Sequence, residues 1–186
     1  MKLFVAPHND DAVLFGAFTL QREHPLVLTV FDSFVQPARG HASCDAAERR
    51  REDIAAVRSE LGCMLQFSGV SDDISEQNLR SGVLRALMHW TPDEVWIPAV
   101  EEGGHAQHNL VGELGIEVFQ GATIHRYLTY TDRGKTTSGT RVHCTGPMVL
   151  KKLRALTCYR SQIENEALGC LPHFLRDQNE YYAREI

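Results

Sequence analysis

Four short apolar runs, separated by stretches of helical periodicity, constrain this chain more than any other feature. Residues 2–6, 26–31, 64–67 and 94–100 are each short enough for a buried strand and too short for a helix. Between the first two, Val13, Leu14, Ala17 and Leu20 fall at i, i+1, i+4 and i+7, which predicts a helix over 10–23. Strands alternating with amphipathic helices build βαβ units, and those build a parallel sheet. The chain has 186 residues with no internal repeat or linker-like tract, so one α/β domain over 1–186 is expected.

Further helices are predicted over 45–61, 75–90, 109–119, 147–168 and 173–184. Asp45 offers a cap to the first of these, and Gly62 follows its end. Strands are predicted over 123–131 and 141–144. Residues 32–44, with Pro37 and Gly40, read as a loop on the ligand side of the sheet. Arg39 and His41 are its polar residues best placed to meet a substrate, although a solvated loop tip accounts better for each.

Composition excludes several function classes. Nineteen Lys and Arg against 24 Asp and Glu give a net charge of −5, which argues against a nucleic-acid binder relying on a bulk positive field. No apolar run approaches the roughly 20 residues that span a bilayer, so no membrane partner is expected. The five cysteines form no CxxC pair, and an odd count suits reduced thiols in a cytoplasm.

Parallel sheets gather ligands at the carboxyl ends of their strands. Two such places carry histidines. The first strand runs into Pro7-His8-Asn9-Asp10-Asp11-Ala12, and the fourth into Glu101-Glu102-Gly103-Gly104-His105-Ala106-Gln107-His108. Taken alone, Asn9, Asp10 and Asp11 are better read as helix caps, and His105 and His108 are weak evidence, since surface histidines are common. Together they are stronger, because one crevice can collect both segments. His8, Asp11 and His108 make a two-histidine, one-carboxylate set of the kind that holds catalytic zinc, with Asp10 left as a base. The first turn lacks G-x-G-x-x-G, which disfavours a dinucleotide-binding oxidoreductase.

The His8-Asn9-Asp10-Asp11 element and the Gly104-His105-Ala106-Gln107-His108 element resemble the motifs of the PIG-L/LmbE-like zinc-dependent N-acetylglucosamine deacetylases. Arg50-x-x-Asp53 leading to Leu61-Gly62 is similar to that family's R-x-x-E…LG helix. Asp93-Glu94-Val95-Trp96-Ile97-Pro98 matches its D-x-V-x-x-P strand, and Leu156-x-x-Tyr159-Arg160-Ser161-Gln162 its late helix. The resemblance covers about residues 2–165.

The resemblance implies a Rossmann-like three-layer sandwich with a mostly parallel sheet. It implies Zn²⁺ held by His8, Asp11 and His108, with Fe²⁺, Co²⁺ or Ni²⁺ as chemically similar occupants. Asp10 becomes the general base, His105 a catalytic neighbour of the oxyanion, and Arg50 a substrate contact; Arg50 reads equally well as a solvated helix charge. The implied substrate is a small, sugar-containing N-acylated molecule. Asn9, Ala12 and Gln107 replace the family's usual Pro, Glu and Asp. The chain is also short for the family, which leaves an open site or a wall supplied by a homo-oligomer. A metal-dependent hydratase and a non-catalytic binder with a vestigial metal site are the competing readings.

Overall fold

The computed structural model describes residues 1–33, 46–71, 75–129, 139–163 and 179–183. Their elements run β1 (Lys2–His8), α1 (Asp11–Glu23), β2 (Leu26–Ser33), α2 (Ala46–Asp53), β3 (Leu65–Ser71), α3 (Glu76–Met88), β4 (Glu94–Pro98), α4 (Ala106–Val118), β5 (Thr123–Tyr127), β6 (Gly139–Arg141), α5 (Gly146–Leu156), α6 (Arg160–Ile163) and β7 (Tyr181–Ala183). A π-helical segment, Ile54–Glu60, continues α2.

Among the described residues these strands form one seven-stranded sheet, in the order β3-β2-β1-β4-β5-β7-β6. The first five are parallel, and β7 joins antiparallel to both β5 and β6. Helices cover both faces, so the expected three-layer α/β architecture is present. Leu3 and Val5 of β1 pack with Val83 and Leu87 of α3 and with Val111 and Leu114 of α4. Phe4 and Ala6 point the other way, into α1, the π-helical segment and α5. Burial on both faces explains why β1 is a continuous apolar run rather than an alternating one.

The two helices nearest the crevice lie close to the sheet because glycines let them. A Cβ on Gly16 of α1 would meet the Phe4 ring at 2.3 Å, and one on Gly112 of α4 would meet the Pro98 carbonyl oxygen at 2.5 Å. Strand order reverses between β1 and β4, and the crevice at their carboxyl ends is where such sheets bind ligands.

Several sequence expectations need correction. The helix expected over 147–168 ends at Leu156, and the chain turns so that Tyr159 is fully buried before α6 begins. Residues 181–183 form a strand rather than the end of a helix, because β5 and β6 leave a gap that β7 fills. The strand expected at 141–144 lies at 139–141. Helix α4 starts three residues earlier than expected and takes His108 into its first turn. Asp32 and Ser33 belong to β2 rather than to a loop. Residues 34–45, including Arg39, His41 and Asp45, lie outside the described residues, as do 130–131, 164–168 and 173–178. No helix among the described residues is long and apolar enough to cross a membrane.

Candidate active site

The end of β1 and the start of α4 converge on one small space. His8 closes β1, Asn9 and Asp10 turn the chain, and Asp11 opens α1. Asp10 sits at the helix cap position, where its backbone carbonyl accepts from the amides of Val13 and Leu14. Its side chain makes no capping bond, which removes the simplest structural explanation for that carboxylate. Asp11 folds back instead, and its Oδ2 accepts the backbone N–H of His8 at 2.7 Å.

Opposite, Gly103 has φ of 73° and turns the loop toward the sheet. The Asn109 amide brackets Glu101, accepting from its N–H at 3.0 Å and donating to its carbonyl at 2.8 Å. The Glu101 carboxylate in turn accepts from the N–H and hydroxyl of Thr129, both at 3.3 Å, tying the loop to the end of β5.

Three atoms then meet. His8 Nδ1 lies 3.2 Å from Asp11 Oδ2 and 3.1 Å from His108 Nε2, and the latter two are 3.1 Å apart. Ligands at 2.0–2.2 Å on a tetrahedral ion are separated by roughly 3.4 Å, so this triangle has the dimensions of one face of a coordination shell. The other oxygen of Asp11 is buried with no hydrogen-bond partner. A cation is the group that an acceptor-only cluster of this kind fits. His105 stands at the edge, with a ring nitrogen within 4.8 Å of those of His8 and His108. Phe31 and Phe15 wall the cluster, with ring centroids 5.5 Å from His8 and 6.2 Å from His108.

The far nitrogen of His8, Nε2, donates to Gln107 Oε1 at 2.6 Å. An amide oxygen only accepts, so Nε2 carries a proton, and a neutral His8 would present the Nδ1 lone pair to a cation in the cluster.

Titration behaviour follows from this packing. Burial and the adjacent Asp11 charge push the Asp10 carboxyl up, while Arg49 and His8 pull it back. Burial also opposes ionisation of Asp11, but the neighbouring His108 and His8 outweigh it and hold the carboxyl well below its usual range. For His8, burial favours the neutral ring, but the hydrogen bond and charge of Asp11, the Gln107 contact and the Asp10 charge together outweigh it and raise the ring's proton affinity. Desolvation, together with His8 and His108, takes His105 down to about 4, leaving it neutral at physiological pH.

All five crevice residues read from the sequence are therefore brought together. Arg50 is placed elsewhere, at the carboxyl end of β2. There it pairs with Asp32 at 2.5 Å and lies 5.7 Å from the Phe67 ring, with 37% of its side chain exposed. Arg49, which sequence reasoning missed, lies 4.0 Å from Asp10. Arg49, Arg50 and Arg51 are consecutive, and only the phase of α2 decides which one faces the crevice.

The PIG-L family, described as GlcNAc-PI de-N-acetylase, matches residues 3–119. The chain belongs to that family. Membership makes this PIG-L protein an enzyme of the de-N-acetylase type. Solved structures agree on the fold. The N,N'-diacetylchitobiose deacetylase of Pyrococcus horikoshii superposes with a TM-score of 0.71 at 21% identity, covering 97% of this chain and 82% of that one. A triple-mutant deacetylase of the teicoplanin biosynthetic pathway gives 0.69 at 22%, covering 87% and 82%. The 4-carboxy-2-hydroxymuconate hydratase of Pseudomonas putida gives 0.63 at 16%, covering 95% and 84%. None of the curated proteins compared matches the sequence.

Proposed function

We propose that this PIG-L enzyme is a zinc-dependent hydrolase removing an N-acetyl group from a small, amino-sugar-type molecule. The observation that carries the reading is the triangle of His8 Nδ1, Asp11 Oδ2 and His108 Nε2, with the uncapped Asp10 carboxylate beside it. His8, Asp11 and His108 would hold the ion. Bound there, a divalent cation supplies Lewis acidity toward an amide carbonyl and toward water.

The remaining roles belong to the chain's own side chains. Asp10 takes the proton of the attacking water. Its raised affinity for protons also suits it to return one to the leaving amine. Neutral His105 can donate a hydrogen bond to the developing oxyanion. Arg50, held by Asp32 at the rim, is the substrate contact. The amino-sugar assignment draws on the family's description and on the chitobiose deacetylase among the structural relatives. Free thiols at Cys63, Cys144 and Cys158 suit the cytoplasmic setting we assign.

The test is amine release from N-acetyl sugars by protein stripped with chelator and reloaded with Zn²⁺, Co²⁺, Fe²⁺ or Ni²⁺. Release restored by one of these ions supports the reading. Hydration of an enol acid without amine release assigns the hydratase reaction instead. Metal binding with neither reaction leaves a binding protein.

A further inference from the structure

Below the floor of the crevice lies a carboxylate outside the proposed chemistry. Asp53 ends α2 where the π-helical segment begins, and it is fully buried. Short π-helical insertions often mark functional positions, since they re-aim a side chain. Here three elements converge on the Asp53 carboxylate. Tyr159, just after α5, donates its hydroxyl at 2.8 Å. Thr29 of β2 donates at 3.0 Å. Asn9, between His8 and Asp10, donates its amide at 3.5 Å.

Packing alone does not call for this arrangement. An apolar side chain at position 53 would fill the space without burying a carboxylate. The same bonds account for two chain-specific features. Asn9 has a partner of its own, and the helix break at Tyr159 delivers a hydroxyl to this point.

We propose that Asp53 is a positioning residue, holding the Asn9–Asp10 turn so that Asp10 faces the crevice. Thr29 and Tyr159 fix the carboxylate, and Asn9 transmits its position to the next residue. The assignment rests on the reading of Asp10 as the base.

The test is a double-mutant cycle on the metal-loaded enzyme with Asn9→Ala, Asp53→Ala and the double variant. Displacing a reacting group by an ångström costs about 10²-fold, so each single variant should lose between about 10- and 100-fold in kcat with KM and zinc affinity near wild type. The double variant should lose no more than the worse single one, since both remove the same contact. Asp53→Asn, which keeps a hydrogen-bonding group in place, should recover part of the loss. Independent multiplicative losses, or kcat losses that track zinc affinity, overturn the assignment. If Asp53→Ala does not fold, Asn9→Ala, exposed to the same kcat, KM and zinc readouts, decides alone: an unchanged kcat overturns it. A wild type that releases no amine removes the hydrolase reading and this role together, whereas an active wild type with independent losses removes only this role.

Discussion

His8 Nε2 donates to the Gln107 side-chain oxygen across 2.6 Å, and this contact turns Nδ1 of His8 toward Asp11 and His108. The two residues are 99 positions apart, one ending β1 and the other in the first turn of α4. A residue that departs from the family's usual carboxylate thus still orients the ring. It does so as a neutral acceptor.

Gln107→Leu should therefore weaken zinc binding by about 10–100-fold, the usual cost of losing a ligand's outer hydrogen bond. Gln107→Asp should tighten binding relative to wild type, because a carboxylate makes the imidazole more electron-rich. Competition with a chromogenic chelator reads both. Equal affinity in all three proteins would show that the ring is oriented by other contacts.

Asp10 and Asp11 are adjacent but should separate in function. Asp10→Asn should keep zinc content near wild type and lose about 10²–10⁴-fold in kcat, the range for a missing general base. Asp11→Asn should lose the metal itself, because Asp11 Oδ2 is a corner of the triangle. Metal analysis beside single-turnover rates separates the two. Matching losses of both quantities in both variants would dissolve the distinction.

Arg49 lowers the proton affinity of Asp10 from 4.0 Å away. Without that cation, Asp10 needs a higher pH to reach its base form. Arg49→Met should thus move the acidic limb of the kcat/KM profile to higher pH, while Arg51→Met should leave it in place. A limb that stays put in the Arg49 variant means the guanidinium does not act on the base.

Stability should carry the signature of Asp53. Burial raises this carboxyl from an ordinary 3.8 to about 8. The hydrogen bonds from Tyr159 and Thr29 work against that rise, and the Asp10 charge adds to it. The folded state then holds a proton that the unfolded chain releases. This contribution to stability is complete below about pH 4 and is lost as pH climbs toward 8, with a slope of at most about 1.4 kcal/mol per pH unit. Asp53→Asn removes the titration, so its denaturation free energy should vary less between pH 5 and 8 than that of wild type. Parallel curves for the two proteins would mean that Asp53 is ionised in the fold.

The sequence alone determined the layout. Apolar runs at 2–6, 26–31 and 94–100 became β1, β2 and β4, because burial on both faces demands continuous hydrophobicity over a few residues. The same local pattern put His8, Asp10 and Asp11 after one strand and His105 and His108 after another, and the strand-end rule joined them. Tertiary structure decided what local periodicity does not encode. It set Arg49 beside Asp10 and Arg50 on Asp32 through the phase of α2, and it ended α5 early because burying Tyr159 against Asp53 outweighed further helix. It made a strand of residues 181–183, because strand pairing there comes from β5 and β6 rather than from chain neighbours. It also set which nitrogen of His8 faces the crevice, since ring orientation depends on a partner brought from α4. Burial writes itself into sequence as a period, whereas hydrogen-bond direction is settled only when distant segments meet.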